Sequence, residues 1–131
     1  MSCVLKVSNA VGSVLMTSDI EALSERALLS RLGSGPDSKL RSDMLIVPHH
    51  GSRTSSTPEF IAAVAAKDAI FPVGYRNSFG HPRPDVLERY RMSSAVLHRT
   101  DLEGALTLRL SGSGPRIVAE REQRRRYWHG R

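Results

Sequence analysis

The residues Asp43-Met44-Leu45-Ile46-Val47-Pro48 constrain the fold more than any other segment. Four apolar residues in succession cannot divide into a wet and a dry face. A strand of this kind is buried on both faces, as in a layered α/β sheet. The run delivers His49-His50-Gly51-Ser52 at its C-terminal end. Residues 68–73 form a second such run, ending at Gly74.

The neighbouring segments fit the same architecture. Residues 3–7 and 13–17 read as strands around the turn Asn9-Ala10-Val11-Gly12, which predicts a hairpin. Ile20, Leu23, Ala27, Leu28 and Leu32 have helical spacing. Ser18 or Asp19 would cap that helix, and the loop 33–38 would end it. Thr57-Pro58-Glu59 opens a second helix, with Thr57 as cap and Pro58 in the first turn. Residues 84–91 suggest a third. Strand-like runs at 95–97, 105–110 and 116–119 complete an α/β domain over residues 1–119. The polar, basic tail 120–131 is expected to be flexible.

Composition narrows the class. The chain's 131 residues suit one domain. A 40% apolar and 24% charged content excludes a disordered or collagen-like chain. No apolar run approaches the ~20 residues of a membrane helix, and the first residues lack a signal-peptide layout. The single Cys3 excludes an internal disulfide and a cysteine-based zinc cage, which leaves five histidines as the metal-capable residues of interest. The net charge of +6 is uneven: residues 1–74 balance seven basic against seven acidic residues, whereas 115–131 hold six Arg against two acids. Arg suits phosphate contacts, but codon bias explains the enrichment equally well.

In an α/β sheet, functional residues gather beyond the carboxyl ends of the strands. Three loops qualify: Ser18-Asp19, His49-His50-Gly51-Ser52 and Gly80-His81-Pro82. Asp19 is either a helix cap or a metal ligand. Alternation along a strand would turn one of His49 and His50 toward a site and leave the other to support it. His81, stiffened by Pro82 and Pro84, is either a site residue or an ordinary loop histidine. His98 and His129 read as structural or solvated. Oxygen and nitrogen donors on three loops suit zinc or manganese. They are too few for a two-ion hydrolase, and the dense cluster of two His at i and i+2 followed by Asp-His is absent.

Five blocks in order carry a family resemblance: Thr17-Ser18-Asp19-Ile20-Glu21, Val47-Pro48-His49-His50-Gly51-Ser52, Ser56-Thr57-Pro58-Glu59-Phe60, the stretch 73–84 with its Gly80-His81-Pro82, and Arg99-Thr100-Asp101-Leu102-Glu103-Gly104-Ala105. Together they resemble the C-terminal metallo-β-lactamase-like domain of the ComEC competence proteins, an inner-membrane DNA-uptake family. The resemblance implies the C-terminal half of an αββα layered sandwich. Asp19, His49 and His50 then match metal-ligand positions, and His81 matches a histidine that binds phosphate or donates a proton. The family's His-x-Asp-x-Asp-His cluster has no counterpart here, and Ser18 stands where the family usually has glycine.

The implied reaction is phosphodiester hydrolysis of DNA with zinc or manganese as cofactor. Arg53, Arg76 and Arg83 flank the site loops as phosphate-binding candidates, with solvated surface arginines as the plain alternative. The basic tail either contacts DNA or an anionic membrane surface, or is a solvated end. As a half-domain the chain is expected to be inactive alone, with a zinc or manganese ion in the parent protein and either an ion or none held by this chain by itself. It would expose the face that meets its missing N-terminal half, and so self-associate. The parent protein would sit in the inner membrane, with this soluble portion on its periplasmic or outer side. The competing reading is a non-catalytic module that binds DNA or a partner on the same fold.

Overall fold

The computed structural model describes residues 1–124. Strands β1 (Leu5–Asn9) and β2 (Gly12–Met16) form the expected hairpin, antiparallel with Val7 opposite Val14. Helix α1 (Ala22–Leu32) then crosses to β3 (Met44–Ile46), which pairs parallel to β2. Helix α2 (Pro58–Val64) leads to β4 (Asp68–Phe71), and α3 (Pro84–Met92) to β5 (Val96–Arg99), each strand parallel to the one before. The result is a five-stranded sheet in the order β1-β2-β3-β4-β5. A one-turn helix α4 (Thr100–Glu103) precedes a separate hairpin of β6 (Leu106–Ser111) and β7 (Gly114–Ala119).

Alternation along β3 explains the layers. Leu45 points into a core shared with Phe60, Ile61 and Val64 of α2 and Val86, Leu87 and Tyr90 of α3, with Leu28 and Leu32 of α1 packed against it. Met44 points the other way, with Val14 and Ile70, toward Leu106, Leu108, Leu110 and Ile117 of the small hairpin. Helices thus cover one face of the sheet and β6–β7 the other, which is why this strand cannot afford a polar residue on either side. On the hairpin-facing side, Leu5, Val7 and Met16 stay exposed near the β1 edge.

Several elements depart from the expected boundaries. The strand expected over 43–48 narrows to three residues, because Pro48 opens a tight turn over Pro48–Gly51. His49 and His50 therefore lie on a turn with φ of 48° and 56°, and strand alternation does not apply to them. Helix α1 starts after Glu21, so neither Ser18 nor Asp19 caps it, and Asp19 keeps its carboxylate for other contacts. Thr57 does cap α2, accepting from Phe60 N. The tail expected to be loose from residue 120 begins as a short helix, α5 (Glu120–Gln123). Arg121 ties it down by donating to the carbonyls of Asp101 and Leu102. Residues 125–131, with the rest of the basic tail and His129, lie outside the described residues. No helix among the described residues is long and apolar enough to cross a membrane.

Candidate functional site

The three loops singled out above meet at the carboxyl ends of β2, β3 and β4. His49 N donates to Ser18 O (3.0 Å), and Arg83 N donates to Gly51 O (3.0 Å). Gly51 makes that junction possible. It has φ 80°, and a Cβ there would lie 2.8 Å from Pro82 Cβ and 3.0 Å from Phe71 Cδ1. Ser18, His49 and His50 all adopt positive φ. The left-handed conformation costs a residue with a side chain about 1–2 kcal/mol. Three such residues in one place are a concentration of strain typical of functional sites. Ser18, at φ 48°, occupies a backbone conformation that glycine adopts freely, which is the physical reason to expect glycine there.

His50 has the most informative surroundings. Its Nδ1 lies 2.7 Å from Pro72 O. A carbonyl only accepts, so this partner assigns the proton to Nδ1. The other ring nitrogen, Nε2, lies 3.5 Å from Asp19 Oδ1, an ion pair when the ring carries both protons and a lone pair facing a carboxylate when it does not. Both side chains are about half exposed, so water, a proton or a metal cation can stand between them. Imidazole anchored through its other nitrogen to a backbone carbonyl is the usual outer support of a metal-binding histidine. Ligand bonds of about 2.1 Å in a tetrahedral site put two donors about 3.4 Å apart. The Asp19–His50 pair therefore fits a zinc- or manganese-like cation.

His49 does not join that pair. Its Nδ1 lies 3.2 Å from Glu21 Oε1, outside hydrogen-bond geometry, so this buried nitrogen has no hydrogen bond among the described residues. Glu21 is fixed in turn by Thr54, whose hydroxyl donates to it at 2.8 Å. No group of three or more His, Cys, Asp or Glu among the described residues is arranged to hold a metal ion. Asp19, His49 and His50 are thus neighbours, but only Asp19 and His50 face one another.

The His81 ring lies 6.0 Å from that of His49, centroid to centroid. Asn77 positions the loop: its Oδ1 accepts from His81 N and its Nδ2 donates to His81 O. Loss of solvent holds the His81 proton affinity below the ordinary imidazole value, and the neighbouring His49 and His50 rings and the Arg83 guanidinium lower it further. The three arginines differ. Arg83 Nε is buried without a hydrogen-bond partner among the described residues. Arg76 lies over the Tyr75 ring at 5.2 Å, and Arg53 Nε lies 3.7 Å from Asp85 Oδ2. His98 sits apart, between Asp68 and Glu103. The sequence reading missed Glu21 and the Pro72 carbonyl as site components. Glu21 lies two residues from Asp19 and was open to detection, whereas a carbonyl leaves no residue-type signal.

Fold and site define a mixed α/β domain with imidazole–carboxylate pairs at the carboxyl ends of parallel strands. No family model matches the chain, and no solved structure gives a match. The chain is similar to Competence protein ComA of Neisseria gonorrhoeae, at 38% identity over 113 residues, which is 86% of this chain and 16% of that protein. It is also similar to Uncharacterized protein YcaI of Escherichia coli, at 36% identity over 128 residues, 98% of this chain and 16% of that protein. ComE operon protein 3 of Bacillus subtilis is 32% identical over 108 residues, 82% of this chain and 13% of that protein. The chain spans less than one-fifth of the length of these curated relatives. Its homologues point to a family of competence proteins.

Proposed function

We propose that this chain forms one wall of a metal-dependent phosphodiester-hydrolysing site in a competence DNA-uptake protein, on the C-terminal half of a metallo-β-lactamase-like sandwich. The observation that carries the reading is the His50 ring, anchored at Pro72 O, with Nε2 set 3.5 Å from Asp19 Oδ1. Asp19 and His50 would hold a zinc or manganese ion, with His49 and Glu21 beside them. A divalent ion bound there supplies charge stabilisation to the attacking and leaving oxygens of a phosphodiester. His81 and Arg83 supply the phosphate-binding side. Its lowered proton affinity makes the His81 ring a weaker base than an ordinary imidazole.

Two facing donors are too few for two ions, so the site is completed by ligands from elsewhere in a longer protein, and this chain alone does not cleave DNA. The greater length of the relatives and the exposed Leu5, Val7 and Met16 support further protein packing on that sheet face. In such a protein the domain would serve DNA uptake at the inner membrane, on its periplasmic or outer side. The absence of a three-donor group among the described residues also favours a second reading, a non-catalytic module that binds DNA or a partner. Calorimetric titration with zinc and manganese separates the two. The first reading requires binding that Asp19→Ala and His50→Ala each abolish, with no DNA cleavage by the chain. Absence of metal binding leaves the second.

A further inference from the structure

Beside the Asp19–His50 pair lies a pocket of about 220 Å³ lined by His50, Pro72, Val73, Asn77, Phe79 and His81. Its wall is mainly apolar. Asn77, the amide in that wall, is committed to the backbone of its own loop. Phe79 is 78% exposed and Tyr75, on the same loop, 68%. The Phe79 ring lies near-parallel to His81, at 26° with centroids 6.2 Å apart. Exposed aromatic rings have no packing reason to be on a loop beside ionisable groups, and leaving them in water forgoes burial energy. The same loop carries Arg76, stacked on Tyr75, and leads into Arg83, whose charge bears on His81.

We propose that this pocket is a nucleobase subsite, in which Phe79 stacks an unpaired base of single-stranded DNA while His81 and Arg83 hold an adjacent phosphate. The subsite presupposes the phosphodiester reading for its class of ligand. Aromatic faces take any base, whereas a base inside a duplex is already stacked and cannot enter the pocket. The chemistry therefore selects single strands without selecting sequence. Charge complementarity fits this occupant, because Arg83 Nη1 lies 3.5 Å from where a Cβ on Gly80, the residue before His81, would stand.

The test measures binding of the full chain to a short labelled oligothymidylate, to an abasic strand of equal length and charge, and to a duplex, by fluorescence anisotropy. The base-bearing strand should bind about fivefold or more tighter than the abasic strand, the lower end of what one base–aromatic stack provides. It should also bind tighter than the duplex. Phe79→Ala should erase the base preference and leave abasic binding unchanged, and Phe79→Trp should retain it. Equal affinity of the native chain for both strands would overturn the subsite, as would no binding, or Phe79→Ala weakening both strands alike. Cation binding is read separately through Asp19→Ala. A base preference without any cation binding upholds the subsite and refutes the metal-dependent reading. Cation binding without a base preference does the reverse.

Discussion

Gly51 joins two loops of the site at a single backbone position. Its positive φ and its 2.8 Å approach to Pro82 leave no place for a methyl group. Gly51→Ala should lower stability by about 1–3 kcal/mol through strain and overpacking, measured by chemical denaturation. His81 gives a pH-dependent signature. Burial and neighbouring positive groups keep its proton affinity below the ordinary 6.5 in the folded chain. The unfolded chain takes up this proton first as pH falls, so stability declines below about pH 6.5 and levels off once the folded ring also titrates. A melting-temperature series against pH should therefore be flatter for His81→Gln than for the native chain. At this scale the sequence showed which histidines cluster at strand ends. It did not show which carboxylate each would face, because that follows from the left-handed turn at His49 and His50. Pro48 and Gly51 hint at a break in the strand, but only the fold sets its direction.

Between elements, two contacts decide how the layers lock together. Glu25 of α1 is fully buried, and its carboxylate accepts from Ser56 N (2.6 Å) and Thr57 N (2.8 Å) at the start of α2. Glu25→Ala strands both N–H groups. It should cost about 1–3 kcal/mol per unsatisfied group, seen as a lower denaturation midpoint. Tyr90 closes the same network by donating to Ser56 Oγ, and burial pushes its phenol proton affinity up. On the opposite face, a Cβ on Gly12 would lie 2.5 Å from Pro115 Cγ, where the small hairpin docks beside the Asn9–Leu110 hydrogen bond. Gly12→Val should lift that hairpin, with faster amide exchange in β6 and β7. The alternation of strands and helices was legible because apolar runs and the Thr57-Pro58 cap are local signals. Glu25 was not: a glutamate within an amphipathic helix reads as solvent-facing, and its burial depends on a loop about thirty residues away.

For the molecule as a whole, the layered sheet was anticipated in type. The small hairpin explains why one face needs no helices, since Leu106, Leu108, Leu110 and Ile117 cover its centre. The central claim remains local, that Asp19 and His50 are set to share a divalent cation. Manganese titrated into isotopically labelled chain tests it most directly, because paramagnetic broadening marks the groups nearest the ion. Broadening should begin at the His50 imidazole and the Asp19 loop at low manganese, and Asp19→Ala should remove it. Broadening that starts elsewhere, or that survives unchanged in Asp19→Ala, would contradict the claim.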